Sequence, residues 1–400
     1  MKPAVLFVHS NSELYGADFI LWQIIKAAKE DLRPFVALPG EGPLADRLRA
    51  EGAEVILTRD SVLRRVNFRP SRMLPFLRHL FRDVSLLRKT IIQENIKLVY
   101  CNTSAVISGA LAARRCQIAN IYHVHEIIHD PPWLAKAISR LTLGNSSEVI
   151  AVSQSVADAL LRFGKPGDPP VRVIHNGLDP APFDGGDDVE DLRRQLGAGP
   201  KNILYGVIGR IHPWKGQSYF IEAARLVANV CPQARFVIVG GTFSGYEHLL
   251  DELNKQIYRL ALRDRLKVLP YRDDVPQLMK ALDVFVLPST SPDPLPTVVL
   301  EAMAASRPVV ATAHGGALEM VLHGETGLLA PPDDVAAFSE ALLQLSADYQ
   351  LRHSLGREGR RRLEEHFDLP RFQRNIRERI QAYLPQKTAL PLANLELAST

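Results

Sequence analysis

The chain alternates short apolar runs with longer amphipathic segments over most of its length. Continuous apolar runs are typical of strands buried in parallel sheets, and the segments between them have helical spacing, as in Asp18–Glu30, Ser104–Arg115 and Gln217–Val230. This strand–helix alternation predicts doubly wound parallel sheets. The first series of predicted strands comprises Ala4–Val8, Phe35–Leu38, Val55–Leu57, Leu98–Tyr100, Asn120–Val124, Val149–Val152 and Val171–Ile174. The second comprises Ile203–Ile208, Phe236–Val239, Leu266–Leu269, Val284–Leu287, Val309–Ala311 and Gly327–Leu329.

A segment rich in Gly, Pro and Asp, Asn176–Lys201, separates the two series. This composition is typical of a linker, so we place a domain boundary near residue 180. The prediction is an α/β chain of two Rossmann-like domains, residues 1–180 and 181–368, which face a central cleft. Ligands of such sheets bind beyond the carboxyl ends of the strands. The last helix, 369–384, is expected to pack back toward the first domain, and the tail 385–400 to be mobile.

Composition narrows the class of protein. The chain has 400 residues, 46% hydrophobic and 23% charged, which is ordinary for a globular protein, and its net charge of +4 does not indicate a nucleic-acid binder. Three scattered cysteines lack metal-site or disulfide spacing and favour a reducing compartment. No apolar stretch reaches the roughly 18–20 residues that span a bilayer, and the first apolar run is too short for a signal peptide. We therefore expect a cytoplasmic chain, either free or peripherally attached to the inner face of the cytoplasmic membrane.

A loop with two cations, Gly209–Gly216, follows the first strand of the second domain and precedes a helix. Lys215 lies just before this helix, where the helix dipole disfavours a cation, and a bound anion would remove the conflict. Arg210 can donate to two phosphate oxygens, while Lys215 supplies a compact charge. The motif therefore indicates a phosphate site; the alternative is a pair of solvated surface cations.

A second motif, Asp293–Ala304, leads from a loop into an apolar helix. Glu301 is its single charged helical residue, and a buried carboxylate is costly unless it is paired, for instance with the hydroxyls of a ribose diol. Pro296 suits the first helical position, which would leave the amides of Thr297 and Val298 free for a phosphate. The alternative is an Asp turn followed by a helical Glu with an Arg partner.

Weaker signals lie at other strand ends. Gly16, in the loop after the first strand, would permit close approach of a ligand, but the loop lacks the GxGxxG pattern, which disfavours a Rossmann oxidoreductase. His125 ends a predicted strand and so lies at the cleft. His123 and His125 could suggest a metal pair, but no carboxylate or Cys recurs at ligand spacing, so a packed or hydrogen-bonded histidine is favoured and no metal site is predicted. The glycines of His314–Glu319 favour either an anion site or a tight turn.

In combination, these motifs resemble the retaining GT-B glycosyltransferases of family 4, also described as glycosyl transferases group 1. The resemblance covers roughly residues 3–384, and its motifs follow a specific order: Gly16, His125-Glu126, Asn176-Gly177, Gly209-Arg210…Lys215-Gly216, Asp293…Glu301 and Gly315-Gly316…Glu319. It implies transfer of a sugar from a nucleotide-diphosphate sugar, a UDP- or GDP-sugar, with retention of configuration by front-face attack through an oxocarbenium-like transition state. It also implies that no cofactor or essential metal is needed, and the absence of a DxD triplet agrees.

The resemblance implies a catalytic set of His125, Arg210, Lys215 and Asp293. In it the two cations stabilise the donor diphosphate and the charge on the leaving group, the histidine hydrogen-bonds the transferring sugar, and the aspartate contacts that sugar's hydroxyls. Glu301 would bind the ribose, and the backbone at Tyr271-Arg272 the nucleobase. The implied donor-binding residues are Gly16, Arg210, Lys215, Tyr271, Arg272, Asp293, Thr297, Val298 and Glu301.

The sequence departs from the family pattern at three places. Asp293 stands for the usual first Glu of the E-x7-E pair, Pro296 for a Gly, and Tyr15-Gly16 for a double Gly. These departures bear on donor geometry and sugar identity. They also keep open a nucleotide-sugar-binding protein without turnover. A GT-B-like epimerase or phosphorylase is a further alternative, although no pyridoxal Lys is marked.

Acceptors in this architecture bind the first domain, where Arg59–Lys89 carries nine basic residues against Asp60 and Asp83. A predicted helix from about Ser71 has an apolar stripe with cations on its other faces, and a basic amphipathic helix can lie on anionic lipid. We expect a glycan or lipid-linked acceptor, as in cell-surface polysaccharide assembly, near Arg69, Arg72, Arg78 and Arg82. The alternative is a stripe that packs on the first sheet beneath solvated arginines.

Overall fold

The structure, a computed structural model, describes residues 2–59, 61–63, 70–128, 130–185, 188–242 and 245–385. Its first sheet has seven parallel strands in the order β3-β2-β1-β4-β5-β6-β7. The strand order reverses between β1 and β4, and this is where an open α/β sheet forms its ligand crevice. The strands are β1 (Ala4–Val8), β2 (Arg33–Leu38), β3 (Glu54–Leu57), β4 (Leu98–Cys101), β5 (Ala119–Val124), β6 (Glu148–Ala151) and β7 (Val171–Val173).

The second sheet has six parallel strands in the order β10-β9-β8-β11-β12-β13, with its own reversal between β8 and β11. The connection between the sheets runs from Val173 to Ile203, and the boundary proposed near residue 180 falls within it. The strands are β8 (Ile203–Ile208), β9 (Ala234–Val239), β10 (Leu266–Leu269), β11 (Val284–Leu287), β12 (Val309–Thr312) and β13 (Gly327–Ala330).

Helices connect successive strands in both sheets. Those of the first part of the chain are α1 (Gly16–Ala28), α2 (Pro43–Ala50), α3 (Pro70–Gln93), α4 (Ser108–Cys116), α5 (Pro132–Gly144) and α6 (Gln154–Leu161). Those that follow are α7 (Glu190–Gln195), α8 (Gln217–Val230), α9 (His248–Arg259), α10 (Val275–Ala281), α11 (Thr297–Ala304), α12 (Ala317–Met320), α13 (Val335–Ala347), α14 (Tyr349–His366) and α15 (Leu369–Ala382).

The prediction of two doubly wound parallel sheets is confirmed, and each predicted strand lies within a residue or two of an observed one. Most of the strands were recognisable because both of their faces are buried, which leaves few polar positions, whereas the edge strands β3, β7 and β10 are only partly buried. Helix α4 begins at Ser108, later than the predicted Ser104, because the carboxylate of Glu126 accepts hydrogen bonds from the Ser104 amide and hydroxyl and holds this segment in a turn.

The last helix, α15, packs against α1. Its apolar residues Phe372, Ile376 and Ile380 are buried in the same cluster as Ile20 and Leu21 of α1. The chain therefore returns from the second sheet to the core of the first. Residues 386–400 of the tail for which mobility was predicted lie outside the described residues.

Candidate active site

A cavity of about 320 Å³ lies between the two sheets, at the carboxyl ends of β5, β8 and β11. Its wall brings together residues that are far apart in the sequence, as expected for a crevice at a point of strand reversal. Among the predicted site residues, those that line it are Gly16, His125, Arg210, Lys215, Asp293, Thr297 and Val298. Tyr271, Arg272 and Glu301 are not part of its lining and lie outside the enclosed space.

The loop that carries the two cations is shaped by glycine. Gly209 has φ of 151° and Gly216 has φ of 71°, both in the region that favours glycine. A Cβ atom at Gly216 would meet the carbonyl oxygen of Pro288 at 1.7 Å, so the start of α8 passes directly over the end of β11. This close crossing places Lys215, in the 3-10 turn Pro213–Lys215, beside the loop that follows β11.

Lys215 forms an ion pair across the cavity wall. Its Nζ donates to Oδ1 of Asp293 at 2.6 Å, and Ser289 Oγ donates to the other carboxylate oxygen at 2.5 Å. The Lys215 side chain is 26% exposed and that of Asp293 11%, so the pair faces the cavity from a largely buried position. The two residues to which the resemblance gives the diphosphate and the sugar are thus in direct contact, and Lys215 is not a solvated surface cation.

Arg210 reaches across the cleft to the first domain. Its guanidinium carbon lies 4.2 Å from the centroid of the Tyr15 ring, and burial lowers the pKa of Arg210 although Tyr15 and Asp18 oppose this shift. The Tyr15 ring also contacts Tyr271 edge to face at 6.0 Å. The aromatic residue that stands in place of a family glycine therefore contacts both the Arg210 side chain and Tyr271. Arg272, in the same loop as Tyr271, is paired with Asp274.

Helix α11 begins at the cavity. Pro296 is its N-cap rather than the first helical residue predicted from the sequence, so the helix starts one residue later, at Thr297. In the described ranges, the amides of Thr297 and Val298 donate to no protein acceptor, as expected at a helix start. Glu301 has no hydrogen bond or ion pair to a described residue, and burial raises its pKa to about 7. The alternative of a Glu301–Arg pair is therefore not found in this part of the chain.

His125 closes the cavity from the side of the first domain. Its Nε2 lies 3.3 Å from Oδ1 of Asn102, and its ring packs on that of His123 with the centroids 4.1 Å apart. Burial is the main reason why the pKa of His125 lies well below its usual value of 6.5, and the neighbouring His123 and His9 lower it further. The residue is a hydrogen-bonded histidine of the cleft wall, and across the described ranges no three His, Cys, Asp or Glu side chains are grouped as metal ligands.

Several polar residues at the site had no role assigned from the sequence, although Glu126 was part of the His125-Glu126 motif. Glu126 lines the cavity and accepts hydrogen bonds from the Thr103 hydroxyl and from Ser104. Asn102 is fully buried and bonds to His125. Asn102 and Thr103 could have been found from the sequence, because they directly follow the predicted strand that became β4. This strand pairs with β1 at the reversal of the first sheet, where a ligand crevice is expected.

The glycine pair before α12 has a packing role. Cβ atoms at Gly315 and Gly316 would meet backbone oxygens of Asp293 and Pro294 at 2.4 and 2.3 Å, so both glycines let this turn approach the Asp293 loop. Glu319, three residues later, accepts hydrogen bonds from the amides of Gln154 and Ser155 at the start of α6 and from His175. It therefore joins the two halves of the molecule.

The predicted basic helix is α3, and its apolar stripe divides between core and surface. The residues Phe76, Leu80, Val84, Leu87 and Ile91 are buried, whereas Leu74 and Phe81 are 66% and 62% exposed. A shallow pocket of about 190 Å³ lies among Leu74, Pro75, Arg78, His79 and Arg82. Arg72, Arg78 and Arg82 are exposed, and Arg69 lies outside the described residues. One face of α3 thus packs in the core, as in the alternative of a packed stripe, while another face exposes both arginines and apolar side chains.

No helix in the described part of the chain is long and apolar enough to cross a membrane. Its three cysteines are free thiols.

Comparison with known proteins gives consistent matches over both halves. Residues 188–362 match the family described as glycosyl transferases group 1, and residues 27–182 match glycosyltransferase family 4. A UDP-Gal:alpha-D-GlcNAc-diphosphoundecaprenol alpha-1,3-galactosyltransferase of Escherichia coli is 29% identical over 304 residues, which cover 68% of this chain and 74% of that protein. An alpha-maltose-1-phosphate synthase of Mycolicibacterium smegmatis is 30% identical over 286 residues, which cover 65% and 72%.

Solved structures extend the match to nearly the whole chain. Anabaena HepE in complex with UDP has a TM-score of 0.80 at 30% identity, with 96% of this chain and 100% of that chain covered. The same protein in complex with UDP-glucose has a TM-score of 0.81 at 29% identity, with 95% and 99% covered.

Proposed function

Because the chain belongs to the GT-B glycosyltransferases of family 4, we propose that it transfers a sugar from a UDP- or GDP-sugar to a glycan or lipid-linked acceptor, with retention of configuration. One observation carries the donor assignment. Arg210, Lys215 and the free amides of Thr297 and Val298 converge on one cavity, where they form a site for an anion with several oxygens.

These groups act on the leaving diphosphate. As the bond between the sugar carbon and the phosphate oxygen breaks, negative charge builds on the diphosphate, and Lys215, Arg210 and the start of α11 stabilise it. We assign the positive charge of the site to these protein groups and expect no essential metal. The acceptor hydroxyl attacks the face from which the diphosphate departs, and its proton passes to the leaving phosphate oxygen. Asp293 holds Lys215 in place and can accept a hydrogen bond from a sugar hydroxyl.

The relatives favour a UDP-sugar donor. The Anabaena structures hold UDP and UDP-glucose, and the name of the E. coli relative specifies UDP-Gal. The same name specifies a diphosphoundecaprenol-linked acceptor, which supports a lipid-linked acceptor for this chain in polysaccharide or glycoconjugate synthesis. The free thiols agree with a cytoplasmic location.

A nucleotide-release assay tests this function. Thermal shifts with UDP-, GDP- and ADP-sugars identify the donor, and release of nucleoside diphosphate measures turnover. Lys215→Ala should lower kcat/KM by about 100- to 1,000-fold, because it removes charge stabilisation from the transition state. Lys201→Ala, at an exposed residue away from the cavity, is the matched control. Donor binding without nucleotide release would support the binding protein without turnover, and full activity of Lys215→Ala would refute the diphosphate site.

For the acceptor side, we propose that the exposed face of α3 rests on anionic lipid. Leu74 and Phe81 would enter the interface while Arg78 and Arg82 contact the headgroups. Salt-sensitive co-sedimentation with phosphatidylglycerol vesicles should be lost in Arg78→Glu/Arg82→Glu. It should persist in Lys201→Glu/Lys255→Glu, which carries the same charge change at exposed residues of the other domain. Equal binding of the two variants to the vesicles would contradict the membrane proposal.

A further inference from the structure

Three buried polar side chains connect the start of α1 to His125. Asp18 is 4% exposed, His9 2% and Asn102 fully buried. His9 Nε2 lies 2.7 Å from Oδ1 of Asp18, Asn102 Nδ2 lies 3.2 Å from Nδ1 of His9, and His125 Nε2 lies 3.3 Å from Oδ1 of Asn102. The three contacts form one continuous chain, which we call the polar relay.

The hydrogen-bond direction in the relay is set by a backbone carbonyl. Asn102 Nδ2 also lies 3.0 Å from the carbonyl oxygen of Ala17, which can only accept. The amide nitrogen of Asn102 therefore faces Ala17 and His9, and its oxygen faces His125. Since this oxygen can only accept, Nε2 of His125 must carry the proton.

The position of the proton on His9 is fixed in the same way. Its Nδ1 faces the Asn102 amide, a donor, and so must accept, which leaves the proton on Nε2, directed at the Asp18 carboxylate. The other oxygen of that carboxylate accepts from the Tyr15 amide at 3.0 Å. Each donor in the relay therefore meets an acceptor. With the Asn102 amide fixed by the Ala17 carbonyl, the other neutral tautomer of His9 would set donor against donor at Asn102, and that of His125 would set acceptor against acceptor.

His125 has one ring nitrogen left for a ligand. In the described part of the chain, no protein group hydrogen-bonds its Nδ1, and the residue lines the cavity beside Gly16 and Asp293. Burial keeps the pKa of the ring below its usual range, with His123 and His9 acting in the same direction. A neutral ring with its proton on Nε2 has a lone pair on Nδ1 and can only accept there.

From this geometry we propose that Asp18, His9 and Asn102 are positioning residues that fix His125 as the neutral Nε2–H tautomer, so that its Nδ1 accepts a hydrogen bond from a hydroxyl of the donor sugar. The proposal rests on the proposed function for the identity of that ligand. It adds residues that do not touch the donor but decide which hydrogen bond His125 can make.

Kinetics of His9 variants test the relay. Leu removes both the donor and the acceptor of His9, whereas Gln can supply an amide donor to Asp18 and a carbonyl acceptor to Asn102. We expect His9→Leu to lower kcat on the order of tenfold, which corresponds to the loss of about one hydrogen bond, and to change the KM for the donor less. His9→Gln should recover most of the lost kcat. Tyr122→Phe removes another buried hydrogen bond, to the Val106 carbonyl, and should leave kcat unchanged.

A double-mutant cycle separates positioning from general destabilisation. If His9 acts through His125, adding His9→Leu to His125→Ala should lower kcat no further. Additive losses would overturn the relay, as would a His9→Gln variant no better than His9→Leu although both are folded by melting temperature.

The tautomer can be measured without turnover. NMR spectra of protein with 15N-labelled histidine measure the tautomer. The signals of His125 are identified as those present in the wild type and missing from the spectrum of His125→Ala. At pH 7 they should have the nitrogen shifts of a neutral ring with its proton on Nε2. A protonated His125 or an Nδ1–H tautomer would overturn the proposal. If no nucleotide-sugar is turned over, the proposed function fails, and this measurement still decides the state of His125.

Discussion

At the residue scale, the protonation of Glu301 couples donor binding to pH. Burial raises its pKa to about 7, and no described residue stabilises the ionised form. A ribose diol donates two hydrogen bonds, which the carboxylate accepts better than the acid. Affinity for UDP-glucose should therefore rise about tenfold from pH 6 to pH 8, as the ionised fraction grows, with proton release on binding near pH 7. Titration calorimetry in buffers of different ionisation enthalpy measures both quantities.

Glu301→Gln provides the control for this prediction. Gln does not titrate, so its affinity for UDP-glucose should be weaker and nearly independent of pH. In the free protein, the contribution of Glu301 to folding stability changes with pH in the opposite direction to the donor affinity. A raised pKa favours the protonated form, so the contribution of Glu301 to stability is full below its unfolded value of about 4.5 and is lost as the pH rises through about 7. A wild-type affinity that falls between pH 6 and pH 8 would contradict the ribose assignment.

At the scale of single elements, the start of α6 is stabilised from the other half of the chain. Burial acts to raise the pKa of Glu319, but hydrogen bonds from His175 and from the amides of Gln154 and Ser155 outweigh it, and the pKa lies below 4.5. Glu319→Ala leaves these amides without their carboxylate and should cost about 1–2 kcal/mol at pH 7. Because a lowered pKa gives stability that is lost as pH falls, the difference in Tm should narrow below pH 4.5.

The comparison for Glu319 is Glu340→Ala, which removes a carboxylate from an exposed position on α13 and should change stability by no more than about 0.5 kcal/mol. Thermal melts of both variants between pH 7 and pH 4 measure the two curves. Equal Tm values for the two variants at pH 7 would show that the contacts to α6 contribute nothing to stability.

Which elements could be predicted depends on how local their signal is. Most of the strands were predictable because a strand buried on both faces is a continuous apolar run, as in Ile203–Ile208. The cations Arg210 and Lys215 were found because one loop holds both. Helix α3 was predicted near its observed start, but periodicity could not separate the buried Leu80 from the exposed Phe81, since the two are adjacent at the edge of one stripe.

The rest of the site depends on contacts between distant parts of the chain. Asn102 meets His9 only because β4 pairs with β1, and Glu319 meets Gln154 only because the two halves close on each other. The pairing of Lys215 with Asp293 likewise needs the close approach of α8 to the end of β11 at Gly216. Strand order and domain contact, which no local pattern contains, assemble these groups.

At the scale of the whole molecule, the two halves are joined by a crossing of the chain. A Cβ atom at Gly177 would meet the carbonyl oxygen of Asp368 at 2.5 Å, so the segment after β7 passes tightly against the start of α15. Leu178 and Asp368 also form a parallel bridge. This contact directs α15 back to α1, and the last helix belongs to the first core although it follows the second sheet.

Local hydrogen exchange should reveal this arrangement. Phe372 is 1% exposed in the cluster of α1 and β1, whereas Phe338 is fully buried in the cluster of β8 and β9. Each Phe→Ala change should cost about 3–5 kcal/mol, because it leaves a cavity in a packed core. Phe372→Ala should therefore speed exchange in residues 4–38, far before it in the sequence, and Phe338→Ala in residues 203–239. If Phe372→Ala exposed the second region and spared the first, α15 would not be part of the first core.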